Sequence, residues 1–306
     1  MNSKSTTVRV PGKINLQLSV GPLNKTGYHD VATVFQAVSL CDDITIRATE
    51  PGSGITVSVV GEHTESVPLD NKNLAYKAAE LMCKDYGITP DLSIAIKKSI
   101  PVAGGMAGGS ANAGGVIVGI DSLFNLGISR NEMEKVGSSL GSDIPFTIAG
   151  GTAIGTGRGE QITPALSRGT YYWVLALSSS GLSTPAVYQE CDRLRDGLTV
   201  AAPVVNGALM QALTSGDSFA LGKALSNDLQ AAACSLKPAL RLILDVGMDY
   251  GALGGVVSGS GPTVAFLAEN EEHSLDLVVA LTSSGVVGTI VQATGPVAGA
   301  RVIEHH

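Results

Sequence analysis

Apolar and polar side chains alternate at Ile14, Leu16, Leu18 and Val20, at Ile44 and Ile46, at Ile55, Val57 and Val59, and at Leu92, Ile94 and Ile96. A period of two puts the apolar members of each run on one side of an extended chain, so each run predicts a strand with a single buried face. Between these runs the period lengthens. Leu74, Ala78, Leu81 and Met82 recur at helical spacing behind Asn71 and Asn73, and Gly87 stands where a C-cap would. Ser129 and Glu132 form a capping-box pair ahead of Met133, Val136 and Leu140, with Gly141 just beyond. A polar, turn-rich stretch follows at 160–170, and the apolar run Tyr171 to Leu177 after it predicts a new strand. Pro238 then opens a helix carrying Leu240, Ile243 and Leu244, and a helical stretch at 275–281 separates strands at 263–267 and 287–291. Strands and helices mix without strict alternation, which predicts an α+β chain dividing near residue 160 into units 1–160 and 161–306. The pattern leaves open whether the last strands return to the first unit.

Composition changes this picture at one point, glycine. The chain has 38 glycines in 306 residues, about 12 % against an average near 7 %. No G-x-y period accompanies them and 44 % of the residues are hydrophobic, so collagen-like and disordered classes are excluded. A net charge of −7 argues against a nucleic-acid or anionic-membrane surface as the main business of the molecule. Cys41, Cys83, Cys191 and Cys234 are dispersed with no C-x-x-C pair, which suits neither a disulfide scaffold nor a zinc cluster. The first residues lack an apolar signal-like core and no apolar run approaches a membrane span. A cytoplasmic protein with no membrane or nucleic-acid partner is expected.

The glycines gather where chemistry is plausible. Six lie between Gly104 and Gly115, and the apolar positions Val116, Ile117, Ile120, Leu123 and Phe124 continue at helical spacing. A glycine-rich segment feeding a helix start lets successive N–H groups and the positive end of the helix dipole converge on an anion such as a phosphate. It is neither a Walker A loop nor G-x-G-x-x-G, and a flexible turn or a tightly packed helix would need the same glycines. Lys13 and Asn15 share the polar face of the first strand, either as solvated groups or aimed at a ligand. Gly27-Tyr28-His29-Asp30 offers a ring and an imidazole that could stack on and hydrogen-bond a planar base, or a capped turn with a packed tyrosine. In Gly141-Ser142-Asp143-Ile144-Pro145-Phe146, Asp143 is an Asx-turn residue or a catalytic carboxylate.

Together and in this order these segments resemble the GHMP small-molecule kinase superfamily. Pro101-Val102-Ala103-Gly104-Gly105-Met106-Ala107-Gly108-Gly109-Ser110-Ala111 is similar to its phosphate loop, and Ser258-Gly-Ser-Gly-Pro-Thr263 to its C-terminal glycine motif. Lys13-x-Asn15-Leu16, Gly27-Tyr28-His29 and Gly141-Ser142-Asp143-Ile144-Pro145 narrow the resemblance to the branch acting on 4-diphosphocytidyl-2-C-methyl-D-erythritol in the non-mevalonate isoprenoid pathway. Matching stretches run from about residue 8 to 303. Met106 stands where leucine is usual, a volume-conserving exchange, and Asp30 where glutamate is more familiar. The magnesium-binding glutamate of other superfamily members has no clear counterpart.

The resemblance implies a two-domain fold, an N-terminal ATP-binding α+β domain and a C-terminal ferredoxin-like domain, with the active site in the cleft between them. It implies transfer of the γ-phosphoryl of ATP to the carbon-2 hydroxyl of a substrate with a cytidine diphosphate moiety. In that reaction Pro101 to Ala111 would hold the ATP phosphates, and Ser110 would bind a phosphate or Mg²⁺. Asp143 would be the base and Lys13 its hydrogen-bonding partner. Tyr28 and Tyr188 would flank cytosine, His29 would read its edge, and Asn15 and Thr184 would bind the erythritol or diphosphate part. A homoserine, mevalonate or sugar kinase of the superfamily would need no cytidine clamp, and a silent nucleotide-binding regulator would have no use for the base. A monomer or homodimer is expected.

Overall fold

The computed structural model describes residues 4–25, 27–61, 64, 67–102, 104–178 and 180–305. The described residues build two sheets. Strands β1 (Ser5–Leu23), β2 (His29–Ala48), β3 (Ile55–Gly61), β4 (Leu92–Lys98), β5 (Thr152–Thr156) and β6 (Gln161–Pro164) belong to the first, and β7 (Tyr171–Leu177) opens the second. β8 (Ser226–Asn227) returns to the first sheet beside β1, and β9 (Gly254–Val257), β10 (Val264–Ala268) and β11 (Thr289–Gly295) complete the second in the order β11-β7-β10-β9. β12 (Arg301–His305) pairs antiparallel with β1, so the first sheet runs β12-β1-β2-β4-β3, with β5 also on β2 and β6 beyond it.

The predicted alternation is realised in β2 and β4, where Ile44, Ile46, Leu92 and Ile94 are fully buried. β1 departs from it. Ile14, Leu16 and Leu18 are buried as expected, but Lys13, Asn15 and Gln17 on the opposite face are buried too, at 4 %, 2 % and 4 % exposure. β1 is an inner strand with neighbours on both edges, and the sequence-distant segment around Gly259 covers its polar face. Helix α1 (Leu74–Tyr86) is capped by the Asn73 side chain and ends at left-handed Gly87. The strand and helix ends in the last third shift by a few residues. The helix predicted at 275–281 spans Glu271–Ser284 because Asn270 caps it earlier through the His273 N–H.

Helix α2 (Gly108–Phe124) lies on the first sheet. A Cβ at Gly115 would sit 2.7 Å from Ile44 Cδ1, and one at Gly119 2.3 Å from Ile46 Cδ1. These glycines bring the helix onto the strands, where Val116, Ile117 and Ile120 are fully buried and contribute roughly 1.5–3 kcal/mol each. α3 (Arg130–Leu140) starts at Ser129, whose hydroxyl accepts from the Glu132 N–H. Of the glycines at 150–159, Gly150 allows a backbone-to-backbone contact and Gly155 a contact with a ring. A Cβ on Gly150 would fall 2.0 Å from Gly299 N, and one on Gly155 2.6 Å from the Phe35 ring. No helix among the described residues is long and apolar enough to cross a membrane.

Candidate active site

The glycine segment leaves β4 and turns into α2. Ala107, at φ 58°, caps the helix, and the first intrahelical bond runs from the Ala111 N–H to the Ala107 carbonyl, 2.8 Å. The N–H groups of Gly108, Gly109 and Ser110 therefore have no acceptor within the helix. Gly104, Gly105 and Ala107 to Ser110 line a cleft of about 600 Å³. Met106 and Ala111 are fully buried beneath it, and Pro101 and Val102 do not line it; Ala103 is outside the described residues. Met106 acts through its backbone, its carbonyl accepting from the Lys13 N–H at 3.2 Å.

The second glycine motif closes on the first. Ser258 Oγ donates to the Gly105 carbonyl at 3.0 Å and the Thr263 N–H to the Gly104 carbonyl at 3.2 Å. Gly105 has φ +77°, and a Cβ there would lie 2.0 Å from the Ser258 carbonyl oxygen, so only glycine allows this contact. Asn227 braces the motif by donating to the carbonyls of Val257 and Gly259, 2.7 Å each.

Lys13 and Asp143 meet in the same cleft. Lys13 Nζ donates to Asn15 Oδ1 at 2.7 Å and lies 4.0 Å from Asp143 Oδ2. The Asn15 amide donates onward to Thr33 Oγ1 at 2.8 Å, whose hydroxyl donates to the Gln17 carbonyl at 2.6 Å. That chain ends on a carbonyl, so every donor in it has one direction. Burial pulls the Lys13 ammonium below the usual lysine range, and Asp143 opposes the effect. Asp143 occupies the N-cap position of α4 (Ile144–Ala149), yet its carboxylate makes no capping hydrogen bond and is 32 % exposed toward the cleft.

Beyond this pair a second cavity of about 640 Å³ is lined by Tyr28, His29, Tyr188 and Asp192. Tyr28 is 54 % exposed. His29, read from the sequence as a loop residue, opens β2 and is buried. Its Nδ1 is 2.9 Å from the Gly21 carbonyl, which can only accept, so Nδ1 carries a proton; Nε2 is 3.3 Å from Asp192 Oδ2. Tyr188, on α5 (Thr184–Leu194), is half-buried with its ring centre 5.2 Å from that of His29. Burial, reinforced by Asp143, pushes its phenol up to about 12. Thr184 Oγ1 shares a 2.8 Å hydrogen bond with Ser260 Oγ, joining α5 to the second glycine motif.

Three residues that sequence reasoning passed over hold the loop from below. Asp42, with no exposed surface, accepts from Lys98 Nζ at 2.6 Å, Asn112 Nδ2 at 2.6 Å, and the N–H groups of Ser99 and Ile100 at 2.7 and 2.8 Å. Asp42 stands beside a second aspartate, Asp43, which pairs with Arg9, so nothing local in the sequence told the two apart.

Residues 73–151 match the model of the GHMP kinases N terminal domain and residues 209–287 that of the GHMP kinases C terminal. A 4-diphosphocytidyl-2-C-methyl-D-erythritol kinase from Nocardia farcinica is 52 % identical over 297 residues, covering 97 % of this chain and 96 % of its own. The enzyme of that name from Mycolicibacterium smegmatis is 50 % identical over 301 residues, 98 % of this chain and 92 % of the relative. A crystal structure of a 4-(cytidine 5′-diphospho)-2C-methyl-D-erythritol kinase superposes with a TM-score of 0.76 at 27 % identity, covering 94 % of this chain and 98 % of that one. A glycine-lined helix start, a lysine–aspartate pair beside it and relatives at half identity along nearly the full length agree: the chain belongs to the 4-diphosphocytidyl-2-C-methyl-D-erythritol kinase family of the GHMP kinases.

Proposed function

We propose that the protein transfers the γ-phosphoryl group of ATP to the carbon-2 hydroxyl of 4-diphosphocytidyl-2-C-methyl-D-erythritol, a step toward isoprenoid precursors by the non-mevalonate route. The observation that carries this reading is the continuity of the two cavities, which share Thr184, Pro185 and Tyr188. One end offers unpaired N–H groups to a triphosphate, the other a ring and an imidazole to a base, and Lys13 and Asp143 lie in the cleft that begins at the triphosphate end.

The start of α2 suits ATP phosphates because its free N–H groups and dipole favour anions. The described residues contain no group of three His, Cys, Asp or Glu able to hold a metal. The Ser110 hydroxyl and the Asp143 carboxylate, which both line the cleft, are hard oxygen donors that fit Mg²⁺ arriving on the triphosphate with most of its ligands as phosphate and water. Ser110 would hold it, and the bound metal would neutralise phosphate charge.

Phosphoryl transfer asks chiefly for positioning and charge stabilisation. Asp143 receives the proton of the attacking hydroxyl, and Lys13, aimed by the Asn15–Thr33 chain, donates to that oxygen and steadies the carboxylate. Tyr28 stacks on cytosine from one side and Tyr188 from the other, while His29 reads its polar edge. Asn15 and Thr184 bind the erythritol or diphosphate part. We assign residues 1–160 to the ATP-binding unit and 161–306 to the second, whose strands β6, β8 and β12 lie in the first sheet. With its four cysteines unpaired, we place the enzyme in the cytosol.

The test is ADP release with this substrate against mevalonate and homoserine. Turnover confined to the cytidine substrate supports the assignment; comparable turnover of either competitor refutes it.

A further inference from the structure

Gly157 and Gly159 sit in a hairpin tip that the reaction leaves unused. β5 and β6 close with Thr156 opposite Gln161, and the tip Gly157-Arg158-Gly159-Glu160 is pinned from three directions. The Val31 N–H donates to the Gly157 carbonyl at 2.8 Å, the Gly159 N–H to the Thr156 carbonyl at 3.0 Å, and the Arg158 N–H to Glu160 Oε2 at 2.8 Å. Gly157 and Gly159 both have positive φ, +71° and +106°, so the arginine is held out between two bends that favour glycine.

Arg158 lines both cavities. Among the described residues lining them, Lys13 and Arg158 are the lysine and arginine side chains, and Lys13 is buried against Asn15 and Asp143. The second cavity has Arg158 alone of these two cations and also carries Asp192. The Arg158 guanidinium lies 5.3 Å from the centre of the Tyr28 ring, at the base-stacking position. Given the functional reading above, on which this inference rests, the substrate enters one cavity with its cytosine and the other with its erythritol, and its diphosphate, ionised at both phosphorus centres, crosses the junction. A protein of net charge −7 must supply a local cation there.

We propose that Arg158 supplies the cationic contact to the diphosphate of the acceptor substrate, presented by the glycine hairpin and steered by the Tyr28 ring. A planar guanidinium matches phosphate oxygens two at a time, and because Arg158 is exposed its contribution falls as salt rises.

The experiment measures binding of cytidine and CDP, and steady-state kinetics with the full substrate, for wild type, Arg158→Gln and Arg158→Lys. Wild type should bind CDP at least tenfold more tightly than cytidine. Arg158→Gln should keep cytidine affinity within about threefold and remove about tenfold of the CDP advantage, a loss typical of one charge-assisted contact. KM for the substrate should rise by a similar factor with a much smaller fall in kcat, and Arg158→Lys should recover part of it. Added salt should raise the wild-type KM more than that of Arg158→Gln. An intact CDP advantage in Arg158→Gln overturns the proposal, as does an equal loss for cytidine and CDP, which would mean that Arg158 only props Tyr28. Wild type that neither binds cytidine nor turns over the substrate overturns the functional reading itself, independently of any variant.

Discussion

Asp42→Ala probes the support beneath the phosphate loop. The substitution removes a fully buried carboxylate that accepts four hydrogen bonds, and it strands the Lys98 ammonium, 1 % exposed, without its partner at 2.6 Å. Breaking a buried ion pair by deleting one member costs about 3–5 kcal/mol, a large share of a total stability of about 5–15 kcal/mol. At roughly 2–4 °C per kcal/mol, the thermal midpoint should fall by about 6–20 °C. Ser99 and Ile100 lead directly into Pro101, so loss of their acceptor should also loosen the loop and raise KM for ATP. Asp42→Leu combined with Lys98→Met removes the stranded charge and should recover at least half of the lost stability. The remainder persists because the Ser99, Ile100 and Asn112 donors still lack acceptors. Thermal unfolding followed by circular dichroism measures both variants. A midpoint within about 2 °C of wild type for Asp42→Ala, or a double variant no more stable than the single one, would refute the reasoning.

Asp143→Asn should lower kcat by about 10²–10⁴-fold, the usual reach of general base catalysis, with only a small fall in thermal midpoint, because the carboxylate caps no helix and stands 4.0 Å from the Lys13 ammonium; a kcat within threefold of wild type would remove Asp143 from the mechanism. Tyr28→Ala, at a site 54 % exposed, should raise KM for the cytidine substrate by roughly 5- to 150-fold, as expected for about 1–3 kcal/mol of base stacking, and leave stability alone; a kcat loss at constant KM would contradict stacking. Burial lowers the Lys13 value, so the basic limb of kcat/KM should appear below pH 10.5 and move upward in Lys13→Arg. The sign for stability follows: the fold disfavours the charged form, so Lys13 costs stability at neutral pH, and that cost is relieved as pH rises from the lowered folded value toward the ordinary unfolded one.

Local signals carried the sequence reading far. The caps at Asn73, Ser129 and Gly87 and the two-residue period of β2 and β4 depend on neighbours a few positions away, and all appear in the structure. Lys13 and Asn15 could not be told from solvated groups on the same basis, because what buries them includes the Gly259 segment, more than two hundred residues later. Asp42 was hidden for the same reason: its partners Lys98 and Asn112 are 56 and 70 positions distant. The glycines were visible as clusters, but a glycine chosen for φ, such as Gly105, and one chosen for close packing, such as Gly119 against Ile46, look alike until the facing atoms are known.

The identity of the phosphorylated position tests the central claim most directly. Incubation of the protein with ATP and 4-diphosphocytidyl-2-C-methyl-D-erythritol, followed by ³¹P and ¹³C NMR of the product, should show a new phosphate monoester coupled to carbon 2 and stoichiometric ADP. Phosphate at another carbon, release of inorganic phosphate with unchanged substrate, or faster phosphorylation of mevalonate or homoserine would contradict the account.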